Sequence, residues 1–311
     1  MTTTTQFAKT RICLDLDLPA TPAADGCSAP STSDLYRTLL VEPGCGINLE
    51  AVDPDFCGDQ SYQRAMPAIQ EQMEKIDRLQ HLMHAEGKHS LLIVLQGLDA
   101  SGKDGVVRHI LNGVNSAGCR VAAFKQPTAT ELGHDFLWRV HPHAPARGEI
   151  AVFNRSHYED VLFARVHELV PQEVWSCRYS LINDFENLLT AANGTTILKF
   201  FLHISKEEQL ARFKRRLDDP CRRWKISEAD YQEREYWDAY AAAFEEMLNR
   251  TSTWHAPWFV VPANNKWFRD LAVSQIVART HEDLDMRLPA PSVDLAQIRR
   301  RYHDAAAVCK S

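Results

Sequence analysis

The sequence contains no C-x-x-C pair, no apolar run longer than a few residues, and no large excess of either charge sign. Each absence removes a class of function. Its eight cysteines are Cys13, Cys27, Cys45, Cys57, Cys119, Cys177, Cys221 and Cys309, and their spacing fits neither a zinc knuckle nor a thioredoxin-like motif. Four of them fall in the first 57 residues, which admits a stapled N-terminal region, but the remainder reads as an enzyme of a reducing compartment. The opening MTTTTQFAKTRICLDLDLP lacks an apolar h-region, so no secretory signal is expected. The most apolar short run, Leu91 to Leu95, is far too brief to span a bilayer, and the expected location is the cytoplasm. Thirty-five Lys and Arg against 41 Asp and Glu give −6 with His neutral, so neither nucleic acid nor an anionic membrane is an expected partner.

What is present is globular. At 311 residues, 45% hydrophobic and 24% charged, the chain buries a core without disulfides and is not disordered, collagen-like or a coiled coil. Residues 1–33, rich in Thr, Ala, Pro and Ser, read as a flexible arm or as a strap ordered only by contact with the rest. A helix is expected over Tyr62–Gly87, where Ala65, Ile69, Met73, Ile76, Leu79 and Met83 share one face as core packing. From there strands and helices alternate. Strands are predicted at Leu91–Gln96, Arg120–Lys125, Glu149–Asn154, Thr195–Ile204 and Trp258–Pro262. Helices are predicted at Gly105–Ser116, Thr130–Val140, from His157, at Pro171–Ala192 and Lys206–Leu217, in a long element capped by Ser227, and from Trp267. That alternation predicts an α/β fold of three layers, a mostly parallel sheet covered on both faces. One domain is expected over residues 34–287, followed by a C-terminal tail over 288–311.

The segment Gly97-Leu-Asp-Ala-Ser-Gly102-Lys103-Asp104 matches G-x-x-x-x-G-K, a pattern that chance would produce about 0.03 times in such a chain. A buried strand precedes it and a helix follows, as a phosphate-binding loop requires. Gly97 and Gly102 let the backbone wrap an anion, and Ala100, Ser101, Asp104 and Gly105 complete the cradle at the helix N-terminus. Lys103 supplies a mobile charge for a transferring phosphoryl group. The alternative is a tight turn with a solvated lysine. Asp104 stands where such loops carry a magnesium-binding hydroxyl, and Asp99 is a second carboxylate within the loop. A carboxylate beside phosphates needs a divalent cation between them, so Asp99 is the preferred metal ligand, with a solvated or turn-stabilising aspartate as the alternative.

Asn154-Arg155-Ser156-His157-Tyr158-Glu159-Asp160 follows the third strand, where open α/β sheets line their ligand crevice. Arg155 is placed to grip an acceptor phosphate bidentately, unless it only pairs with Glu159 or Asp160. An amide such as Asn154 binds magnesium weakly, which shifts the metal load to Asp99 and Glu159. Between Arg212 and Lys225 stand seven basic residues against two acidic ones, a net of +5 in fourteen residues. This reads as a lid over phosphates rather than a solvated helix face.

Together GLDASGKD, FNRSHYEDV and RFKRRLDDPCRRWKIS resemble the polyphosphate kinase 2 family, and FKQPTATELGHDFLWR, the Tyr62–Gly87 helix and the tryptophan-rich C-terminal region extend the likeness from about residue 35 to 287. Asn154 and HDFLWR are most similar to its class III branch. The resemblance implies a P-loop kinase-like domain that transfers the terminal phosphoryl group of inorganic polyphosphate to nucleoside mono- and diphosphates, with Mg2+. On it, Lys103, Asp99 and Arg155 are catalytic, and Arg212, Arg215, Arg216 and Arg222 form the polyphosphate lid within about 206–226. Lys125, Asn154 and Arg155 face the acceptor, and Asp99 and Glu159 hold the metal. Inorganic polyphosphate and purine nucleotides are the expected partners, along with further copies of the chain in a dimer or tetramer. The rival readings are a nucleoside monophosphate kinase with a triphosphate donor and a non-catalytic polyanion-binding regulator.

Overall fold

The structure, a computed structural model, describes residues 34–309. The expected N-terminal arm, Cys13 and Cys27 lie outside the described residues. Cys45 and Cys57 carry free thiols, as do Cys119, Cys177, Cys221 and Cys309.

The sheet has six strands: β1 (Leu40–Val41), β2 (Ser90–Gln96), β3 (Cys119–Ala123), β4 (Ile150–Asn154), β5 (Thr195–His203) and β6 (Trp258–Pro262). Their order is β1-β6-β5-β2-β4-β3. All neighbours are parallel except β1, which runs antiparallel to β6 through Leu40–Phe259 and Val41–Trp258. Helices cover both faces: α1 (Leu35–Leu39), α2 (Tyr62–Glu86), α3 (Lys103–Ile110), α4 (Ala129–Leu132), α5 (Glu159–Val166), α6 (Gln172–Asn193), α7 (Lys206–Asp218), α8 (Glu228–Glu235), α9 (Trp237–Thr251) and α10 (Lys266–Glu282). A final helix, α11 (Leu295–Val308), has no buried side chain.

The continuous apolar run of β2 follows from its central place. Leu91, Ile93 and Leu95 join one core with Ile76 and Met83 of α2, Val106 of α3 and Ile276 of α10. Leu92 and Val94 point the other way, into a core with Leu162 of α5, Ile182 of α6 and Phe244 of α9. Every residue of the strand is buried, so the alternation of a half-exposed strand never appears. The five strands read from the sequence all form, within a residue or two at their ends.

Several elements differ from expectation: the helix expected over Gly105–Ser116 runs from Lys103 to Ile110, and the short α1 was not anticipated. The helix anticipated over 130–140 is a single turn. Its N-terminus has the Thr128–Glu131 capping box, but Gly133 and an Asp135 side chain bonded to Leu137 N divert the backbone into turns. The long helix begun by Ser227, whose backbone N–H donates to Asp230 at 2.8 Å, divides at Tyr236 into α8 and α9. Strand β1 has no counterpart in the sequence reading, because two residues are too few to show a period. Among the described residues no helix is long and apolar enough to cross a membrane.

Candidate active site

Strand β2 lies between β5 and β4, so the loops leaving β2 and β4 emerge side by side at the carboxyl edge of the sheet. A parallel sheet opens a ligand crevice where the chain order reverses, and both sequence motifs meet there. Residues 97–102 turn from β2 into α3. Gly97 has φ +147°, and a Cβ on it would stand 2.7 Å from the carbonyl oxygen of Leu202. Gly102 has φ +111°, and a side chain there would collide with the guanidinium of Arg269. Ala100 is also left-handed, at φ 63°. The loop is a preformed hollow of backbone amides opening onto the first turn of α3.

Lys103 folds back over this hollow and donates to the carbonyls of Gly97 at 2.6 Å and Leu98 at 3.2 Å. Burial, aided by the nearby Arg155 guanidinium, pushes its ammonium down to about 8. Ser101 is buried, and its Oγ has no protein partner among the described residues.

Arg155 follows β4 with φ 63°, a conformation that costs a non-glycine residue about 1–3 kcal/mol and persists only where the surroundings impose it. Its Nη2 meets Asp99 Oδ1 at 2.5 Å, and its Nη1 lies 3.6 Å from Glu159 Oε2. The guanidinium thus bridges a carboxylate of the phosphate loop and one of α5. Burial raises the pKa of Glu159 against the lowering effect of Arg155 and Lys103. Asp99, Glu159 and Arg155 are therefore gathered beside Lys103, as the sequence motifs suggest.

Asp104 points elsewhere. Its carboxylate accepts from Asn154 Nδ2 at 2.9 Å and from Lys225 Nζ at 2.9 Å, and these bonds lower its pKa despite partial burial. The residue in place of the usual hydroxyl thus ties the basic segment to the first turn of α3. Lys125 is exposed beyond β3, and its carbonyl accepts from Arg139 at 2.7 Å. Gly105 packs against the Arg269 guanidinium.

The basic segment divides in two. Arg212, expected in the lid, is 5% exposed and has all five N–H groups engaged by protein. Nε donates to Glu208, Nη1 to the carbonyls of Ala100 and Ser101, and Nη2 to those of Ala263 and Asn264. It is a brace under the phosphate loop. Arg215 and Arg222 are held by pairs with Glu208 and Asp219, and the half-buried Arg216 pairs with Asp230, donates to the Lys225 carbonyl at 3.1 Å and lies over the Phe213 ring. Beside them Lys266, which the sequence reading overlooked, has its pKa lowered by burial and by Arg212, Arg215, Arg269 and Arg222. Four arginines acting on one lysine signify a concentrated positive field.

On the other side of Asp99 and Arg155 lies a cavity of about 200 Å³, walled by Phe163, Trp237 and Tyr240 and edged by Gln209 and Glu233. Gln209 donates to the Asp99 carbonyl at 2.9 Å, and Tyr240 donates to Glu233 at 2.8 Å. None of these five was picked out from the sequence. The crowding of Tyr236, Trp237 and Tyr240 just after the basic run was the available signal.

The chain matches the Polyphosphate kinase 2 (PPK2) family over residues 55–289. It is 49% identical over 257 residues to an AMP/ADP-polyphosphate phosphotransferase of Meiothermus ruber, covering 82% of this chain and 96% of the relative. It is 46% identical over 266 residues to an ADP-polyphosphate phosphotransferase of Rhodopseudomonas palustris, covering 80% and 91%. The crystal structure of polyphosphate kinase 2 from Arthrobacter aurescens superposes with a TM-score of 0.82 at 39% identity, over 93% of this chain and all of that one.

Proposed function

From the premise that the chain belongs to the polyphosphate kinase 2 family, and is a polyphosphate:nucleotide phosphotransferase, we propose that it uses both AMP and ADP as acceptors, with Mg2+. The observation that carries the reading is the asymmetry about Lys103. A cationic field with Arg215, Arg222 and Lys266 lies on one side, and an aromatic cavity reached past Arg155 lies on the other. A polyanionic donor suits the first, and a nucleotide acceptor suits the second.

Phosphoryl transfer needs positioning and charge neutralisation more than acid–base chemistry. The loop amides and Lys103 hold the donor's terminal phosphates. Arg155, freed from Asp99 as substrates arrive, grips the acceptor phosphate whose oxygen is the nucleophile. The residues fit a magnesium ion in a limited way. Among the described residues no group of three or more His, Cys, Asp or Glu forms a metal cage. Magnesium characteristically takes one or two carboxylates and completes its sphere with water and phosphate oxygens, and Asp99 and Glu159 offer two carboxylates. When bound, the ion neutralises charge shared between donor and acceptor phosphates. The lid of residues 206–226 is part of this proposal, with Arg215, Arg216 and Arg222 on the polyphosphate. So are a cytoplasmic location and self-association into a dimer or tetramer.

The test is incubation with polyphosphate and AMP, ADP or GDP, followed by chromatography of the nucleotides. ADP and ATP formed from polyphosphate support the proposal. Turnover only with a nucleoside triphosphate donor, or binding without turnover, overturns it.

A further inference from the structure

Directly after Arg155, three consecutive residues, Ser156, His157 and Tyr158, are all completely buried. Ser156 is fixed from one side, where its Oγ accepts from Gln96 Nε2 at 3.1 Å and from the backbone N–H of Tyr158 at 3.3 Å. The other two converge on a single carboxylate. Glu186, in the middle of α6 and completely buried, accepts from the Tyr158 hydroxyl at 2.9 Å and lies 3.2 Å from His157 Nε2. Its second oxygen accepts from Lys199 Nζ at 2.6 Å. Lys199, equally buried on β5, donates also to the Tyr158 hydroxyl at 2.9 Å and to the Thr251 carbonyl at 2.7 Å.

An ion pair with no exposure is a weak source of stability, since desolvation of both charges offsets their attraction, and an apolar pair of the same volume serves a core as well or better. What this pair supplies is direction. It seizes His157 and Tyr158, the second and third residues after Arg155, at defined points, and the left-handed backbone of Arg155 persists only if its neighbours hold it. Glu159, the second carboxylate of the site, follows Tyr158 immediately.

We propose that Glu186, paired with Lys199, is a positioning residue for the acceptor: it locks the His157–Tyr158 step so that Arg155 and Glu159 stand at the phosphate loop. This rests on the reading of Arg155 as the acceptor's phosphate ligand. Misplacing Arg155 weakens the nucleotide side of the reaction and leaves the donor side, built on Lys103 and the basic segment, as it was.

The experiment is steady-state kinetics of Glu186→Gln and Tyr158→Phe with each substrate varied, alongside thermal unfolding and calorimetric binding of AMP. For Glu186→Gln the expected result is a rise of about tenfold in nucleotide KM, a lower kcat and a polyphosphate KM within about twofold of the parent. Tyr158→Phe, which removes one hydroxyl and keeps the ion pair, should shift the same quantities by about threefold. If Glu186→Gln does not fold, Tyr158→Phe decides alone. Folded variants with unchanged nucleotide KM and AMP affinity overturn the inference, as does an equal rise in both KM values, the mark of general loosening. If the parent protein fails to use polyphosphate at all, the proposed function falls, while AMP binding still tests the role of Glu186.

Discussion

At the scale of the residue, the proposed function gives Lys103 the donor. Its ammonium rests on the carbonyls of its own loop, and in the proposed function it moves to phosphate oxygens when the donor enters. Lys103→Met should leave the fold intact and remove about 2–4 kcal/mol of transition-state stabilisation, a loss of two to three orders of magnitude in turnover. Near-parental activity in the folded variant contradicts the assignment. Its pKa near 8 adds a pH signature. The free protein loses this charge as pH rises through about 8, so kcat/KM for polyphosphate should fall above that value. At saturating donor, bound phosphates restore the proton and the fall should move to higher pH. The effect on stability has the opposite sense. The folded value lies below the ordinary 10.5, so between about 8 and 10.5 only the unfolded chain keeps the proton, and the free protein gains stability as pH rises. Unfolding measured across that window should show the gain in the parent and not in Lys103→Met. The proposed function makes Asp99 the second decisive residue. Asp99→Asn preserves shape and removes the charge facing Arg155, so activity should drop by orders of magnitude and recover in part at raised magnesium. Titrating activity against magnesium checks this, and an unchanged requirement would move the ion to Glu159.

At the scale of the element, the basic segment holds two kinds of arginine that sequence cannot distinguish. Arg212 lies on the side of α7 that faces the phosphate loop, and Arg215 and Arg216 lie nearer the solvent. Arg212→Ala leaves four buried or half-buried backbone carbonyls without that donor, while Glu208 keeps Arg215, and should cost about 3–5 kcal/mol in urea unfolding. Arg212→Lys should restore little, since an ammonium cannot reproduce the planar fork. The double change Arg215→Ala with Arg216→Ala should lower stability less than Arg212→Ala does, the loss coming from the Arg216 bond to the Lys225 carbonyl. It should raise the polyphosphate KM, most visibly at low salt, with small effect on the nucleotide KM. A collapse of nucleotide affinity instead would assign the segment to the acceptor. Strands and the phosphate loop were legible because glycines at fixed spacing and buried apolar runs are local signals. The aromatic cavity, the Glu186–Lys199 pair and the bracing role of Arg212 were not. Each depends on which residues 13 to 112 positions apart meet across the fold. The single-turn α4 misled for a different reason. Its cap is a genuine helix start, and the stop lay in an aspartate side chain competing for the backbone.

At the scale of the whole molecule, two cores press on one sheet and the site sits where the strand order reverses, so distant surfaces are free to vary. Helix α11 buries no side chain, and a chain ended after residue 290 should keep its activity and melt within about 2 °C of the parent by calorimetry. A larger drop would mean that α11 is covered in solution. The two margins of the sheet have unequal fates. On one side the two-residue β1 closes β6 and offers almost no ladder of its own. On the other, β3 presents five residues with Val121 46% exposed. Unpaired strand margins recruit other strands, and very short ones do not. Among the described residues, any strand-to-strand joining of copies through this sheet would therefore find its ladder at β3, and the brief antiparallel strand would act as a stop at the opposite margin.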